Sequence, residues 1–244
     1  MFEVYFQRIQ EILQQVAQTQ GEAITNTAAV LAKAIREHKC IYAFGCNHAN
    51  LLAKELVYRT GGLVVINPVV APGLDLDVRP VTMTTEMERM AGYGNVIVQA
   101  AGIGQGDVLI VHSVSGRNAA SVDAALEAKK QGATVICLTN LAYSKSVQSR
   151  HPSGLHLYEA ADVTLDNCGD IGDAVVDIPE LGQKVAASST VVGAAILNAV
   201  VVETIDQLVK QGVLPPVFIS SNMEGGDAHN ARVMAEYKDQ IRYL

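Results

Sequence analysis

Apolar residues recur along the chain at two different spacings. In residues 2–38 they return every three or four positions, which predicts two amphipathic helices. From residue 40 onward, short apolar runs alternate with stretches of helical spacing. The runs predict buried strands at 40–44, 63–66, 107–112, 133–138 and 162–165, and an edge strand at 175–178. The helical stretches lie at 48–60, 118–131, 188–210 and 229–241.

Strands that alternate with helices pair in parallel through right-handed crossovers. The pattern therefore predicts an α/β fold, a three-layer sandwich in which a mainly parallel five-stranded sheet lies between two layers of helices. Neither an internal repeat nor a low-complexity linker divides the chain, so residues 1–244 are interpreted as a single domain. Residues 1–38 would form an N-terminal helical arm, and residues 211–244 a C-terminal flap and helix.

The charge balance argues against two classes of partner. The 244 residues include 18 Lys+Arg and 25 Asp+Glu, which gives a net charge of −7. Nucleic acids and anionic membranes bind basic faces, so we expect neither as a partner. The most apolar stretch, residues 191–202, is too short to span a membrane and is interpreted as part of a core helix.

Cysteine usage and the N-terminal residues indicate a cytoplasmic protein. The four cysteines lack CxxC spacing, and two of them lie in apolar, strand-like runs, which is typical of buried thiols in a reducing compartment. The first residues do not combine a basic segment with an apolar one, as a secretory signal would. The four cysteines are Cys40, Cys46, Cys137 and Cys168.

The loop after the third predicted strand carries the most informative chemistry. It contains Ser113, Ser115, Gly116 and Asn118, directly before a helix. In an open parallel sheet, ligands bind at the carboxyl ends of strands, and a helix N-terminus favours anions. The loop therefore predicts a site for a small phosphate ester, bound by hydroxyl and amide donors without a fixed cation. The alternative is that Ser115 or Asn118 only caps the helix.

The loop after the first strand contains Gly45, Asn47 and His48 but lacks the G-x-G-x-x-G fingerprint of dinucleotide folds. Asn67-Pro68 stands where such folds place an acidic residue, and no P-loop motif occurs. We therefore expect no nucleotide cofactor. Metal-ligand spacing is also missing, so no metal site is predicted.

These loops resemble those of the sugar-isomerase (SIS) domain family. The resemblance rests on a strand ending in Gly-x-Asn-His, a second ending in Ser-x-Ser-Gly-x-Asn, and a Ser-Ser-Thr start of the apolar helix. It covers roughly residues 30–210. Bacterial SIS proteins that are similar to phosphoheptose isomerases also share the helical arm and the runs at 55–62, 149–154 and 215–218.

The resemblance implies a flavodoxin-like strand order and a set of substrate-binding residues. Ser113, Ser115 and Asn118 would bind the phosphate beside the Gly116 backbone. The first loop departs from the family pattern, since Asn47 and Ala49 replace a usual Gly and Ser. The remaining substrate-binding residues implied by the resemblance are Gly45, Asn47, Ser188, Ser189 and Thr190.

Three residues are candidate catalysts for aldose–ketose isomerisation, which needs a base and an acid. Glu55 resembles the catalytic base of phosphoheptose isomerases, although it would equally well pair with Arg59 one turn away. His48, beside the phosphate loop, is a candidate acid, with helix capping as the alternative. His229, after the glycine pair 225–226, is a second candidate acid if that segment closes over the site, and otherwise belongs to a surface loop.

The function predicted from these observations is binding and isomerisation of a phosphorylated sugar. Two alternatives stay open: a lyase or dehydratase acting on an amino-sugar phosphate in the same pocket, and a non-catalytic sugar-phosphate sensor. The long apolar helix and the N-terminal arm carry more apolar surface than one sheet face needs. We therefore expect a homodimer, or a tetramer built from it.

Overall fold

Five parallel strands form the centre of the molecule. The computed structural model describes all 244 residues and orders the strands β2-β1-β3-β4-β5. This confirms the predicted fold class and its flavodoxin-like strand order. The strands are β1 (Ile41–Gly45), β2 (Ile66–Pro68), β3 (Val108–His112), β4 (Thr134–Thr139) and β5 (Val163–Asp166).

Helices cover both faces of this sheet, and successive side chains of β1 point to opposite faces. Ile41 and Ala43 pack in one core with α1, α2, α3 and α9, while Tyr42 and Phe44 pack in a second core with α5 and α6. The helices are α1 (Phe2–Thr19), α2 (Gly21–Arg36), α3 (Asn50–Leu56), α4 (Thr82–Glu88), α5 (Tyr93–Ala101), α6 (Ala119–Lys130), α7 (Leu141–Ser146), α8 (Leu157–Ala160), α9 (Ser189–Lys210) and α10 (Gly226–Glu236).

The strand order creates a switch point beside β1. The chain leaves β1 toward β2 on one side and returns to β3 on the other. Gly45, the last residue of β1, pairs with His112, the last residue of β3. The loops that follow these two strands therefore start side by side, where open α/β sheets bind ligands.

Several predicted boundaries were wrong. The edge strand predicted at 175–178 does not join the main sheet; it is β6 (Ala174–Ile178), which forms an antiparallel hairpin with β7 (Gln183–Ala187). The helix predicted at 48–60 ends at Leu56, since Val57 is extended and Tyr58 adopts a φ of 49°. The second strand comprises Ile66–Pro68 rather than residues 63–66.

Helix α9 is long and apolar enough to cross a membrane by length and composition, with a mean hydropathy of 1.6 over its most apolar 18 residues. Its buried face nevertheless belongs to the core. Val192, Ile196 and Val200 are each 1% exposed and pack in the same apolar cluster as residues of α2. Burial within the protein accounts for the apolar residues on this face of the helix, and 44% of its most apolar 18-residue stretch is buried.

Candidate functional site

The loop from Ser113 to Asn118, which we call the anion loop, is fixed at its base by neighbouring strand ends. The Ser113 N–H donates to the Leu138 carbonyl at 3.1 Å. The Thr139 hydroxyl donates to the carbonyls of Ser113 at 2.7 Å and Val114 at 3.0 Å. These bonds use carbonyl groups and leave the peptide N–H groups further along the loop free for a ligand.

Gly116 gives the anion loop its shape. Its φ is +57°, and a Cβ added there would lie 2.9 Å from Ser144 Oγ and 3.2 Å from Thr139 Oγ1. A side chain at this position would therefore meet both a strained backbone and close neighbours. Glycine lets the loop turn tightly against α7.

The start of α6 has no protein group that satisfies its first donors. Asn118 is the N-cap residue, with extended φ and ψ, but no side chain accepts a bond from the helix N-terminus. The peptide N–H groups of Ser115, Gly116, Arg117 and Asn118 also make no bond within the protein. The interpretation of Ser115 or Asn118 as a cap was therefore wrong, and the unpaired N–H groups suit an anion.

The Asn118 side chain is instead held by two charged residues that the sequence analysis did not single out. Its amide Nδ2 donates to Glu88 Oε1 at 2.7 Å, and its Oδ1 accepts from Arg150 Nη1 at 2.9 Å. The prediction that the loop has no fixed cation was therefore wrong. Arg150 belongs to the run 149–154 quoted above, which was the one signal for it.

A buried hydrogen bond between two side chains fixes the turn that carries Arg150. His151 Nε2 lies 2.9 Å from Asp123 Oδ1, and both side chains are largely buried. The Arg150 N–H donates to the Arg117 carbonyl at 2.8 Å. These bonds attach the turn to α6 and to the anion loop, so the Arg150 guanidinium is held beside Asn118.

The anion loop faces a cavity of about 200 Å³ that lies between the ends of β1 and β3. The turn is therefore not filled by its own side chains. The thiol of Cys46 stays neutral there, since burial raises its pKa. The cavity is lined by Cys46, Asn47, His48, Ala49, Glu88, Ser113, Val114, Ser115, Tyr143 and Asp173.

The hydroxyls at the start of α9 are bound by a protein carboxylate. The Ser189 hydroxyl donates to Asp173 Oδ2 at 2.6 Å, and the Ser189 N–H donates to Asp173 Oδ1 at 2.8 Å. Ser188 also donates to Asp173, whereas Thr190 is exposed. Asp173, which precedes β6, therefore lines the cavity, whereas Ser188 and Ser189 do not.

The structure separates the three candidate catalysts. His48 is exposed and lines the cavity of the anion loop. Glu55 lies in another depression, where its carboxylate is 3.0 Å from Arg59 Nε. His229 lies in α10, with Nε2 3.1 Å from the Val217 carbonyl oxygen. Of the three, only His48 lines the cavity with Ser113 and Ser115.

His112 lies behind this cavity at the end of β3. Its Nδ1 is 3.2 Å from the Ala49 carbonyl oxygen, and its Nε2 is buried without a partner. Burial lowers the pKa of the imidazole from 6.5 to about 4, although the bond to Ala49 and the nearby Asp173 carboxylate oppose this shift. The ring is therefore neutral at pH 7, and it contacts the loop after β1 through the Ala49 carbonyl.

Comparisons with known proteins identify the family and agree with the fold. The model of the SIS domain family matches residues 4–140. A UPF0309 protein from Shouchella clausii is 45% identical over 242 residues, which cover 99% of this chain and 98% of the relative. A phosphoheptose isomerase structure from Francisella tularensis superimposes with a TM-score of 0.55, 15% identity, and coverage of 83% of this chain and 95% of that one. Phosphoheptose isomerase GmhA from Neisseria gonorrhoeae gives a TM-score of 0.52, 17% identity, and coverages of 84% and 97%.

Proposed function

The chain belongs to the SIS domain family and is a relative of the UPF0309 proteins, and from this premise we propose that it binds a phosphorylated sugar at the anion loop and isomerises it. The observation that carries the proposal is the set of unpaired peptide N–H groups from Ser115 to Asn118 at the start of α6. A phosphate ester has enough acceptor oxygens to pair with several of them at once.

Two further features support the phosphate as the bound group. The Ser113 and Ser115 side chains line the cavity and can donate to phosphate oxygens. Arg150 supplies a positive charge next to Asn118. The net charge of −7 disfavours anions in general, so binding depends on these local donors.

The reaction that we propose is aldose–ketose isomerisation through an enediol. His48 is the imidazole that lines the cavity, and we assign proton transfer to it. Glu55 was predicted as the base; because it pairs with Arg59 and lines a separate depression, we assign it no role in this reaction. We assign none to His229 either, since its Nε2 lies 3.1 Å from the Val217 carbonyl oxygen and it does not line this cavity.

Titration calorimetry with inorganic phosphate and a panel of hexose and heptose phosphates tests the binding site. Ser115→Ala should weaken binding by roughly 1–3 kcal/mol, because phosphate oxygens lose a donor. Ser221→Ala, an exposed serine outside this cavity, is the matched control and should bind like the wild type. Unchanged affinity in Ser115→Ala would show that the anion loop is not the phosphate site.

Exchange of the carbon-2 proton with solvent deuterium tests the reaction. His48→Asn should lose exchange and keep binding, whereas Glu55→Gln should keep both. Loss of exchange in Glu55→Gln would instead identify Glu55 as the catalytic base. Net loss of water or of a substituent would identify a lyase, and thermal stabilisation without turnover across the panel would identify a sensor.

A homodimer in the cytoplasm completes the proposal. Apolar side chains on α1 and α9 stay exposed, among them Phe2 at 71%, Phe6 at 60% and Val202 at 67%. Covering them with a second copy of the chain would remove this apolar surface from water. All four cysteines are free thiols, which fits a reducing compartment. Sedimentation as a strict monomer would contradict the dimer.

A further inference from the structure

A carboxylate already accepts from two of the side chains expected to bind the ligand. Glu88 Oε2 accepts from Asn47 Nδ2 at 2.6 Å, and Glu88 Oε1 accepts from Asn118 Nδ2 at 2.7 Å. One carboxylate thus bridges the loop after β1 and the loop after β3. It comes from α4, a segment that contributes no backbone to either loop.

The charges around Glu88 are those of an anion site. Arg150 donates to Asn118, the residue that also holds Glu88. Burial lowers the pKa of the Arg150 guanidinium, Arg117 and Arg89 lower it further, and Glu88 raises it. Arg117 also has a buried Nε without a partner. Arg89 pairs with Glu86 at 3.6 Å, whereas no salt bridge joins a carboxylate to Arg150 or Arg117. The positive charge of Arg150 and Arg117 is therefore available to an anion.

The segment that carries Glu88 has few side chains in the core. Within α4, which has seven residues, only Thr84 is buried, Met87 packs partly buried against the core formed with α5 and α6, and Met83 and Glu86 are exposed. Because one buried and one partly buried side chain anchor it, this segment opens at lower cost than the core helices. Glu88 can therefore leave Asn47 and Asn118 while the anion loop, fixed by Thr139, keeps its shape.

We propose that Glu88 is an internal competitor of the ligand: its carboxylate holds Asn47 and Asn118 until the phosphate group of the ligand displaces it and takes over both amides and the arginine charges. This inference rests on the proposed phosphate site and adds its selectivity. A dianion replaces the single charge of Glu88 favourably beside Arg150 and Arg117, whereas a neutral sugar cannot. Glu88 thus restricts the site to strongly anionic ligands.

The test measures binding of inorganic phosphate to the wild type, Glu88→Gln and Glu86→Gln. If Glu88 occupies the site about nine-tenths of the time, Glu88→Gln should bind phosphate about tenfold more tightly, because apparent affinity scales with the competent fraction. Glu86→Gln is the matched control, since Glu86 lies on the same helix but is exposed and pairs with Arg89. Its affinity should equal that of the wild type.

A second measurement follows the segment itself. Phosphate should accelerate trypsin cleavage after Arg89 in the wild-type protein, since displaced Glu88 releases the end of α4. In Glu88→Gln this cleavage should already be fast without phosphate. Protection of Arg89 by phosphate would overturn the proposal, as would equal or weaker phosphate binding by a folded Glu88→Gln protein.

Failure of the two proposals gives different results. If phosphate binds neither the wild type nor either variant, the phosphate site itself is wrong. If phosphate binds the wild type and Ser115→Ala weakens this binding, the phosphate site stands. In that case an unchanged affinity in Glu88→Gln refutes only the role of Glu88.

Discussion

Acidification should destabilise this protein through His112. The folded state keeps the imidazole neutral down to about pH 4, whereas the unfolded chain takes up a proton at about pH 6.5. Between these values the unfolded state binds the extra proton, so the free energy of unfolding falls as the pH falls. Above pH 6.5 the neutral His112 costs the folded state no stability. As the pH falls from 6.5 toward 4, the protein progressively loses stability through this residue.

The size of the effect follows from the pKa difference. One pKa unit corresponds to about 1.4 kcal/mol, so a fall from 6.5 to about 4 amounts to about 3 kcal/mol. His112 is 3% exposed, so solvent does little to screen this effect. That loss is a large fraction of the stability of a typical domain, which is about 5–15 kcal/mol.

Urea unfolding between pH 7 and pH 4.5 measures this contribution. Far-UV circular dichroism is the suitable signal, because the chain has no tryptophan. His112→Asn keeps an amide donor near the Ala49 carbonyl. In this variant the free energy of unfolding should no longer show the pH dependence that corresponds to uptake of about one proton on unfolding. His38→Asn, an exposed histidine with a φ of 54°, is the control and should keep the wild-type slope. Equal pH dependence in wild type and His112→Asn would refute the reasoning.

Two further substitutions test the supports of the cavity. Gly116→Ala should destabilise the fold by about 1–3 kcal/mol and weaken phosphate binding, because alanine is strained at a φ of +57° and its Cβ would lie 2.9 Å from Ser144 Oγ. Adding Ser144→Ala should recover only the part due to that contact, as urea unfolding would show; full recovery would exclude backbone strain. Asp173→Asn should cost about 1 kcal/mol of stability, because the start of α9 loses a charged acceptor, while exposed Asp177→Asn should change nothing. Equal melting temperatures of the two aspartate variants would contradict the capping role of Asp173.

The strand, the loop and the helix start that form one continuous segment of the candidate site could be predicted from the sequence. The serines, the glycine and the helix start of the anion loop are adjacent in sequence, and the apolar run before them marks the strand. The two loops were also expected to meet, because parallel strands end at one edge of the sheet. The family assignment needed no more than these local patterns.

Contacts across the fold were not predictable in this way. Glu88 lies 30 residues before Asn118, and Arg150 lies 32 residues after it. Nothing in their spacing distinguishes them from ordinary surface charges. Glu55 is a site prediction that rests on a resemblance of sequence, and in the structure it lines a different depression from the anion loop.

The amino-acid sequence by itself determined the alternation of strands and helices, the parallel sheet and the chemistry of the loop that precedes α6. Hydrophobic periodicity and local turn preferences act over a few residues, and they are written directly into the chain. Only the tertiary structure decided that Glu88 bridges Asn47 and Asn118 and that Asp173 caps α9. Those contacts depend on how distant loops settle against one another, which short-range spacing does not encode.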